Sequence, residues 1–235
     1  MDNVEMTLGA PQEDEFALAA ATFKSPCMGW VFLRQKEQFE KYLTFRDVDP
    51  VEVVEWRTAF YTFLKKVQWR DSRSLVLKSP PHTGRIRLLL EFFPNAKFIH
   101  IHRDPCTVFQ STRRTFQILC TWHNLQKADV PDVDEWLIRL YRLMYDAFFE
   151  DRSLIPAGNY CEVAFEQLER DPIGEMRRIY QTLNLPDFAP FEPTLQTYVD
   201  SLAGYQKNTF RELDANLKTR LRSEWHKCFD EWGYA

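Results

Sequence analysis

The sequence is poor in glycine and has no long apolar run. Only seven of its 235 residues are glycine, which argues against a loop-rich β-sandwich. It contains no stretch of eighteen apolar residues, so no membrane-spanning helix is expected, and no signal peptide is recognisable. These absences predict a cytoplasmic protein with no membrane segment in this chain.

Cysteine is scarce and scattered, at Cys27, Cys106, Cys120, Cys161 and Cys228. No C-x-x-C pair occurs and the number is odd, which disfavours both a zinc site and a disulfide framework. Free thiols in a reducing compartment are the better expectation. The sequence also lacks G-x-x-x-x-G-K-[ST], which counts against a P-loop phosphotransferase.

Charge is nearly balanced overall but uneven along the chain. The net charge of −4 does not suggest a nucleic-acid partner. Residues 65–114, however, carry eleven Lys or Arg against three acidic residues. This cluster is either a solvated basic face or a site for an anionic ligand, and composition leaves both open.

Short apolar runs alternate with helical patterns, which predicts an α/β fold in one domain covering residues 1–235. The expected strands are residues 74–78 (SLVLK), 97–102 (KFIHIH) and 159–165 (NYCEVAF). Strands separated by helices form parallel sheets covered on both faces. Three strands are few for such a sheet, so we expect part of the fold to be missing from this sequence.

The helices are predicted from apolar periodicity and from Asp-Pro pairs. In an Asp-Pro pair, Asp can cap the helix and Pro suits its first position. Such pairs occur at 49–50, 104–105 and 171–172. Helices are expected over residues 12–23, 50–70, 83–93, 105–119, 134–151, 190–203 and 213–229 and after Pro172, with a loop over 121–133.

Residues 93–111 (FPNAKFIHIHRDPCTVFQS) are the most informative stretch. Arg103 follows a strand, at the edge where α/β sheets bind ligands. Ser111 comes eight residues later, about two helical turns onward. A guanidinium binds phosphate with paired hydrogen bonds, and a hydroxyl adds a donor. The alternative is an Arg paired with a nearby carboxylate and a Ser without a role.

This stretch resembles the 3'-phosphate site of sulfotransferases that use 3'-phosphoadenosine 5'-phosphosulfate (PAPS). F-P-N-A-K-F is similar to the tyrosylprotein branch and to bacterial members. The resemblance implies a P-loop-NTPase-like three-layer sandwich with a short parallel sheet and many helices. It also implies that Arg103 and Ser111 hold the 3'-phosphate of PAPS.

Residues 77–82 (LKSPPH) occupy the place of the family's Lys-Ser element. The resemblance implies that Lys78 assists the bridging oxygen of the leaving phosphate. His82 would correspond to the base of the cytosolic branch, although two prolines displace it. From the residues alone, Lys78 could be a surface lysine and His82 a structural histidine.

Residues 12–18 (QEDEFAL) place three acids at a helix start, where negative charge is favourable. Related bacterial sequences resemble this element, and the tyrosylprotein branch uses an early Glu as its base. The side chains of Glu13, Asp14 and Glu15 point about 100° apart, so at most two face one cleft. Glu13 and Glu15 are therefore both candidates for the base.

Two later elements resemble nucleotide-binding parts of the family. In residues 163–172 (VAFEQLERDP), Phe165 takes the position of a ring that stacks on adenine. Glu166 is expected to make local hydrogen bonds, and Asp171 to cap a helix. Residues 205–208 (YQKN) resemble a loop that closes over the nucleotide, where Lys207 is the phosphate candidate.

The family's loop for the 5'-phosphosulfate, P-x-R-S-G-T, is absent from the sequence. In the family its amides and helix N-terminus cradle the anion. We therefore expect a short or truncated member of the family that transfers sulfate poorly. The implied reaction is sulfuryl transfer to a hydroxyl or amine of a small-molecule, carbohydrate or peptide acceptor, with no metal. A non-catalytic nucleotide-binding remnant is the alternative.

Overall fold

The computed structural model describes residues 9–70, 72–123, 125–126 and 133–234, and this part of the chain is rich in helices. The helices before the first strand are α1 (Asp14–Thr22), α2 (Met28–Val31), α3 (Lys36–Glu40), α4 (Pro50–Arg70) and α5 (Ile86–Phe92). Strand β1 (Phe98–His102), helices α6 (Pro105–His123) and α7 (Val133–Asp151) and strand β2 (Tyr160–Ala164) follow. The chain continues with α8 (Phe165–Arg170), α9 (Pro172–Thr182), α10 (Phe188–Ser201), α11 (Ala215–Glu224) and α12 (His226–Trp232).

All three Asp-Pro pairs begin helices, as predicted. The Asp49 carboxylate accepts a hydrogen bond from the Val51 amide at 2.8 Å at the start of α4. Asp104 accepts from the Thr107 amide at 2.7 Å at the start of α6. Asp171 accepts from the Gly174 amide at 2.9 Å at the start of α9. Each Asp thereby satisfies an amide that has no partner within its helix.

The two observed strands are parallel neighbours, which confirms the predicted sheet type. In their register, Ile99 lies opposite Cys161 and His102 lies opposite Ala164. Cys161 and Val163 are buried on one face of β2, in a cluster with Ile179 of α9. The opposite face of the sheet carries His100, whose ring lies 5.4 Å from that of Trp232 in α12.

The predicted strand over residues 74–78 is wrong. The segment has no regular secondary structure and pairs with no strand in the described part of the chain, and Val76 is 90% exposed. An apolar run becomes a strand only when another strand can pair with its amides and carbonyls. Periodicity reports the apolar run and says nothing about such a partner.

Other predictions differ in detail. Residues 80–85 form a 3-10 helix before α5, and the helix predicted for residues 213–229 is divided into α11 and α12. Residues 121–123 belong to α6, whereas most of the predicted loop over 121–133 lies outside the described residues. None of the described helices is long and apolar enough to span a membrane.

The chain divides into two compact units. The sheet unit contains residues 89–111 and 151–234, and the helical unit contains residues 9–88 and 112–150. Aromatic rings fill the helical unit, where Trp56 lies 4.8 Å from Phe45 and 5.0 Å from Phe60 between ring centroids. The single domain expected from the sequence stays a prediction.

Candidate functional site

The parallel register places Arg103 and Phe165 side by side at the carboxyl end of the sheet. His102 and Ala164 are opposite one another, and Arg103 and Phe165 are the next residues of the two strands. The guanidinium carbon of Arg103 lies 4.3 Å from the centroid of the Phe165 ring. This cation–π contact holds a positive charge at the edge of the sheet where ligands bind.

The charge of Arg103 is not neutralised by an ion pair within the described part of the chain. No carboxylate of those residues pairs with its guanidinium, which contacts the Phe165 ring instead. Ser111 lies two turns into α6, half-buried. The corner formed by Arg103 and Phe165 therefore offers an available cation beside an aromatic face, which suits an anionic nucleotide. The closeness of Ser111 to Arg103 stays a prediction.

Hydrogen bonds join this corner to the end of the chain. Glu166 accepts from the Asp104 amide at 3.4 Å and from the Tyr234 hydroxyl at 3.0 Å. Glu166 therefore has the structural role expected of it, but the expectation of local bonds is wrong, because its partners lie 62 and 68 positions away in the chain. Sequence reasoning missed Tyr234, because nothing in a terminal Trp-Gly-Tyr indicates a contact with a strand about 130 residues earlier.

One oxygen of Glu162 anchors the opposite face of the sheet. It accepts from Tyr160 at 2.7 Å and from Trp232 at 3.1 Å, and it lies 3.3 Å from His100. Burial acts to raise the pKa of Glu162, but these hydrogen bonds outweigh burial and lower the pKa to about 2. The charged carboxylate therefore fixes α12 against the strands.

Lys207, the predicted phosphate ligand of the later loop, lies in the sheet unit as an exposed side chain. It forms an ion pair with Glu169 of α8. To contact a phosphate, its ammonium would have to leave this carboxylate. An exposed ion pair of this kind is weak, so the exchange would cost little.

In the helical unit, the three consecutive acids at the start of α1 each pair with a different basic residue of the segment 78–85. Glu13 contacts the Lys78 ammonium. Asp14 lies 2.8 Å from Nε2 of His82. Glu15 binds Arg85 through two hydrogen bonds, of 2.6 and 3.0 Å. The two motifs singled out in the sequence are therefore one structural element.

The Glu15–Arg85 pair lies at the buried end of this element. Both side chains are 0% exposed. The guanidinium also donates to the Tyr42 carbonyl at 2.7 and 3.2 Å, and it lies 5.2 Å from the Trp56 ring. Burial, followed by the Glu15 charge, raises the pKa of the Cys27 thiol to about 11, so this thiol remains protonated. Arg85 was not identified from the sequence.

The three pairs differ in their access to solvent. The Lys78 side chain is 75% exposed and that of Glu13 is 23% exposed, whereas Asp14 and Glu15 are buried. Asp14 Oδ1, His82 Nδ1 and Ser79 Oγ are buried without a hydrogen-bond partner among the described residues. Glu13 is therefore the acid of the three that an external molecule can reach.

The remaining site expectations concern metals, thiols and the placing of Lys78. Among the described residues, no group of His, Cys, Asp or Glu has an arrangement that could hold a metal ion. The described cysteines, Cys27, Cys106, Cys161 and Cys228, are free thiols. Lys78 and Arg103 belong to different units. The expectation that they lie side by side stays a prediction.

Comparison with known proteins adds an independent observation. A sequence model of the sulfotransferase family matches residues 8–190. The omega-hydroxy-beta-dihydromenaquinone-9 sulfotransferases Stf3 of Mycobacterium bovis and Mycobacterium tuberculosis are each 35% identical over 234 residues, which is 100% of this chain and 60% of theirs. The chain thus spans less than two thirds of the length of these relatives.

Two solved structures share the fold. Sulfotransferase STF9 of Mycobacterium avium matches 94% of this chain and 56% of its own, with a TM-score of 0.74 at 22% identity. Sulfotransferase STF1 of Mycobacterium tuberculosis matches 95% of this chain and 57% of its own, with a TM-score of 0.66 at 15% identity. The family model matches residues 8–190, well over half of the sequence, and so the chain belongs to the sulfotransferase family.

Proposed function

We propose that this chain binds PAPS and takes part in transferring its sulfuryl group to a hydroxyl of a small-molecule acceptor. The observation that carries the proposal is the Arg103 guanidinium, which lies on the Phe165 ring and has no carboxylate partner among the described residues. Such a cation at the carboxyl end of a parallel sheet attracts an anionic group. The same residues carry the family resemblance.

The residues of this corner fit the nucleotide end of PAPS. Arg103 would bind the 3'-phosphate through two parallel hydrogen bonds, and Ser111 would add a third. Phe165 has two faces, of which Arg103 covers one. Adenine would stack on the other face, so that the ring lies between a cation and a base. Lys207 would add a further charge by exchanging Glu169 for phosphate.

Glu13 is the preferred base among Glu13, Glu15 and His82. Both oxygens of Glu15 are engaged by Arg85 in a fully buried pair. Nε2 of His82 faces Asp14, and its Nδ1 is buried. A base must come within hydrogen-bond reach of the acceptor hydroxyl, and the side chain of Glu13 is the most exposed of the three.

The family resemblance assigns Lys78 to the leaving phosphate, and its contact with Glu13 would bring the proposed base close to it. Glu13 takes the proton from the acceptor hydroxyl as the new oxygen–sulfur bond forms. Lys78 stabilises the negative charge on the phosphate oxygen as its bond to sulfur breaks. The products are the sulfated acceptor and adenosine 3',5'-bisphosphate. The Glu13–Lys78 ion pair would have to open for this reaction, because each side chain would then contact a reacting group instead of the other side chain.

The acceptor class is suggested by the relatives. The Stf3 proteins are named for a hydroxylated menaquinone. We therefore propose a hydroxyl on a menaquinone-like molecule in preference to a carbohydrate, peptide or amine acceptor.

A nucleotide-binding remnant without activity is the second candidate. The sequence contains no P-x-R-S-G-T, the element that would hold the 5'-phosphosulfate. Such a remnant would keep the Arg103 corner and lose turnover.

Calorimetry with adenosine 3',5'-bisphosphate tests the nucleotide site. The wild type should bind, and Arg103→Ala should weaken binding by at least ~1.5 kcal/mol, the scale of a hydrogen bond to a charged group. Equal binding by both proteins would refute the site. An assay with labelled PAPS and phenolic, carbohydrate, amine and menaquinol acceptors then separates the candidates. Arg103-dependent binding without any transfer would favour the remnant.

A further inference from the structure

The Tyr234 hydroxyl lies between two partners of opposite character. His102 Nδ1 is 3.0 Å from its oxygen, and Glu166 Oε2 is also 3.0 Å away. Because an ionised carboxylate only accepts hydrogen bonds, the tyrosine proton points to Glu166. The tyrosine oxygen must then accept from an N–H on His102 Nδ1. These two hydrogen bonds form a relay, in which His102 donates to Tyr234 and Tyr234 donates to Glu166.

The relay requires a proton on the Tyr234 hydroxyl and a proton on His102 Nδ1. Burial, followed by the hydrogen bond to Glu166, raises the pKa of Tyr234, so its hydroxyl remains a donor at neutral pH. Burial lowers the pKa of His102, against the charges of Glu162 and Glu166, which favours the neutral ring. Its contact with the Tyr234 oxygen assigns the remaining proton to Nδ1. Both hydrogen bonds of the relay can therefore form at neutral pH.

The relay ends beside the corner formed by Arg103 and Phe165. The second oxygen of Glu166 accepts from the Asp104 amide, at a longer 3.4 Å. Asp104 follows Arg103 directly and caps α6, while Glu166 follows Phe165. Asp104 and Glu166 are thus the chain neighbours of the two residues proposed to hold the nucleotide, Arg103 and Phe165.

Tyr234 is itself held in place by α12 and the turn after it. The Trp232 ring stacks on His102 at 4.7 Å with an angle of 9° between their planes, and its N–H donates to Glu162. Gly233 then turns the chain with a φ of +67°. Glu231 pairs with Arg152 at 2.6 Å. The position of the Tyr234 hydroxyl is therefore fixed by α12 and the turn at Gly233.

The geometry points to Tyr234 as a positioning residue for the 3'-phosphate site. Its hydroxyl holds the Glu166 carboxylate in place, and that carboxylate accepts from the Asp104 amide, next to Arg103 in the chain. The inference rests on the proposed function, because the corner is assigned to the nucleotide there. It predicts that loss of the hydroxyl weakens recognition of the 3'-phosphate specifically.

Tyr234→Phe tests this role, with Tyr198→Phe as the matched control. Tyr198 is an exposed tyrosine of α10 in the same unit. Calorimetry would compare adenosine 3',5'-bisphosphate with adenosine 5'-monophosphate, which lacks the 3'-phosphate. Tyr234→Phe should weaken the bisphosphate about fivefold, within the range for one hydrogen bond, and leave the monophosphate unchanged. Tyr198→Phe should bind both as the wild type does.

Glu166→Gln provides a second variant should Tyr234→Phe be too unstable to measure. It keeps one oxygen as an acceptor, so its selective loss should be smaller than that of Tyr234→Phe. Equal weakening of both nucleotides, or unchanged binding of both, would overturn the inference. If Arg103→Ala abolishes bisphosphate binding and Tyr234→Phe leaves it intact, the inference fails and the proposed function stands.

Discussion

Arg85 and Glu15 form a doubly hydrogen-bonded ion pair with both side chains fully buried. A buried charge that loses its partner costs far more than the intact pair contributes. Arg85→Met should therefore lower the free energy of unfolding by about 3–5 kcal/mol. The double variant Glu15→Leu/Arg85→Met should be less destabilised than Arg85→Met alone. Urea unfolding measures both.

An ion pair nearer the surface of the same helical unit provides the control for this experiment. Lys24 pairs with Glu55 of α4, whose side chain is 57% exposed. Glu55→Gln should change the free energy of unfolding by less than about 1 kcal/mol, as is usual for a surface ion pair. A double variant as unstable as the sum of its two single changes would contradict the expected coupling between Glu15 and Arg85.

Stability should depend on pH through Glu162. Its pKa is lowered to about 2 from the usual 4.5, so the folded state binds this proton less readily than the unfolded chain. The contribution is fully present above about pH 4.5 and is lost as the pH falls toward 2. Since the side chain is 28% exposed, we expect on the order of 1–2 kcal/mol after screening.

Urea unfolding of the wild type and Glu162→Gln at pH 7 and pH 3 measures this contribution. The difference in unfolding free energy between them should be larger at pH 7 than at pH 3. A difference that stays constant between these pH values would mean that the carboxylate charge does not anchor α12.

Gly233 should be sensitive to a side chain for backbone reasons alone. Its φ is +67°, and a Cβ built there would meet no atom within 4 Å. Gly233→Ala should therefore cost about 1 kcal/mol through the left-handed conformation, and it should weaken the Tyr234 contacts. Gly204→Ala, equally open but without a positive φ, should be close to neutral in thermal unfolding. Equal effects at both positions would contradict this explanation.

Local signals in the sequence predicted the parts of the fold that depend on near neighbours. The Asp-Pro pairs began helices because cap and amide are at most three residues apart. β1 and the place of Arg103 at its end followed from an apolar run and a helix start. The strand predicted at 74–78 failed because pairing depends on residues far along the chain.

The ion pairs between α1 and residues 78–85 show the same contrast between local and long-range contacts. Sequence reasoning identified Glu13, Glu15, Lys78 and His82 as candidates but could not join them, since 65 to 70 positions separate acids from bases. Arg85 escaped notice because a buried arginine and a surface arginine look alike in sequence. Contacts of this range depend on tertiary packing, which a local pattern does not encode.

Glu13→Gln tests the assignment of the base. Glutamine keeps the size of the side chain but cannot take a proton, so single-turnover transfer from labelled PAPS should fall by roughly 10²–10⁴-fold. Binding of adenosine 3',5'-bisphosphate should stay within about twofold, because Arg103, and not Glu13, is assigned to the nucleotide. Glu55→Gln is the matched control, since it also removes a carboxylate from a Glu–Lys pair of the helical unit.

His82→Asn separates the two candidate bases. Its only expected effect on the rate of transfer is an indirect one, through the lost contact with Asp14. If His82→Asn abolished transfer while Glu13→Gln retained it, the proton would go to His82, and its buried Nδ1 would have to become accessible when the acceptor binds.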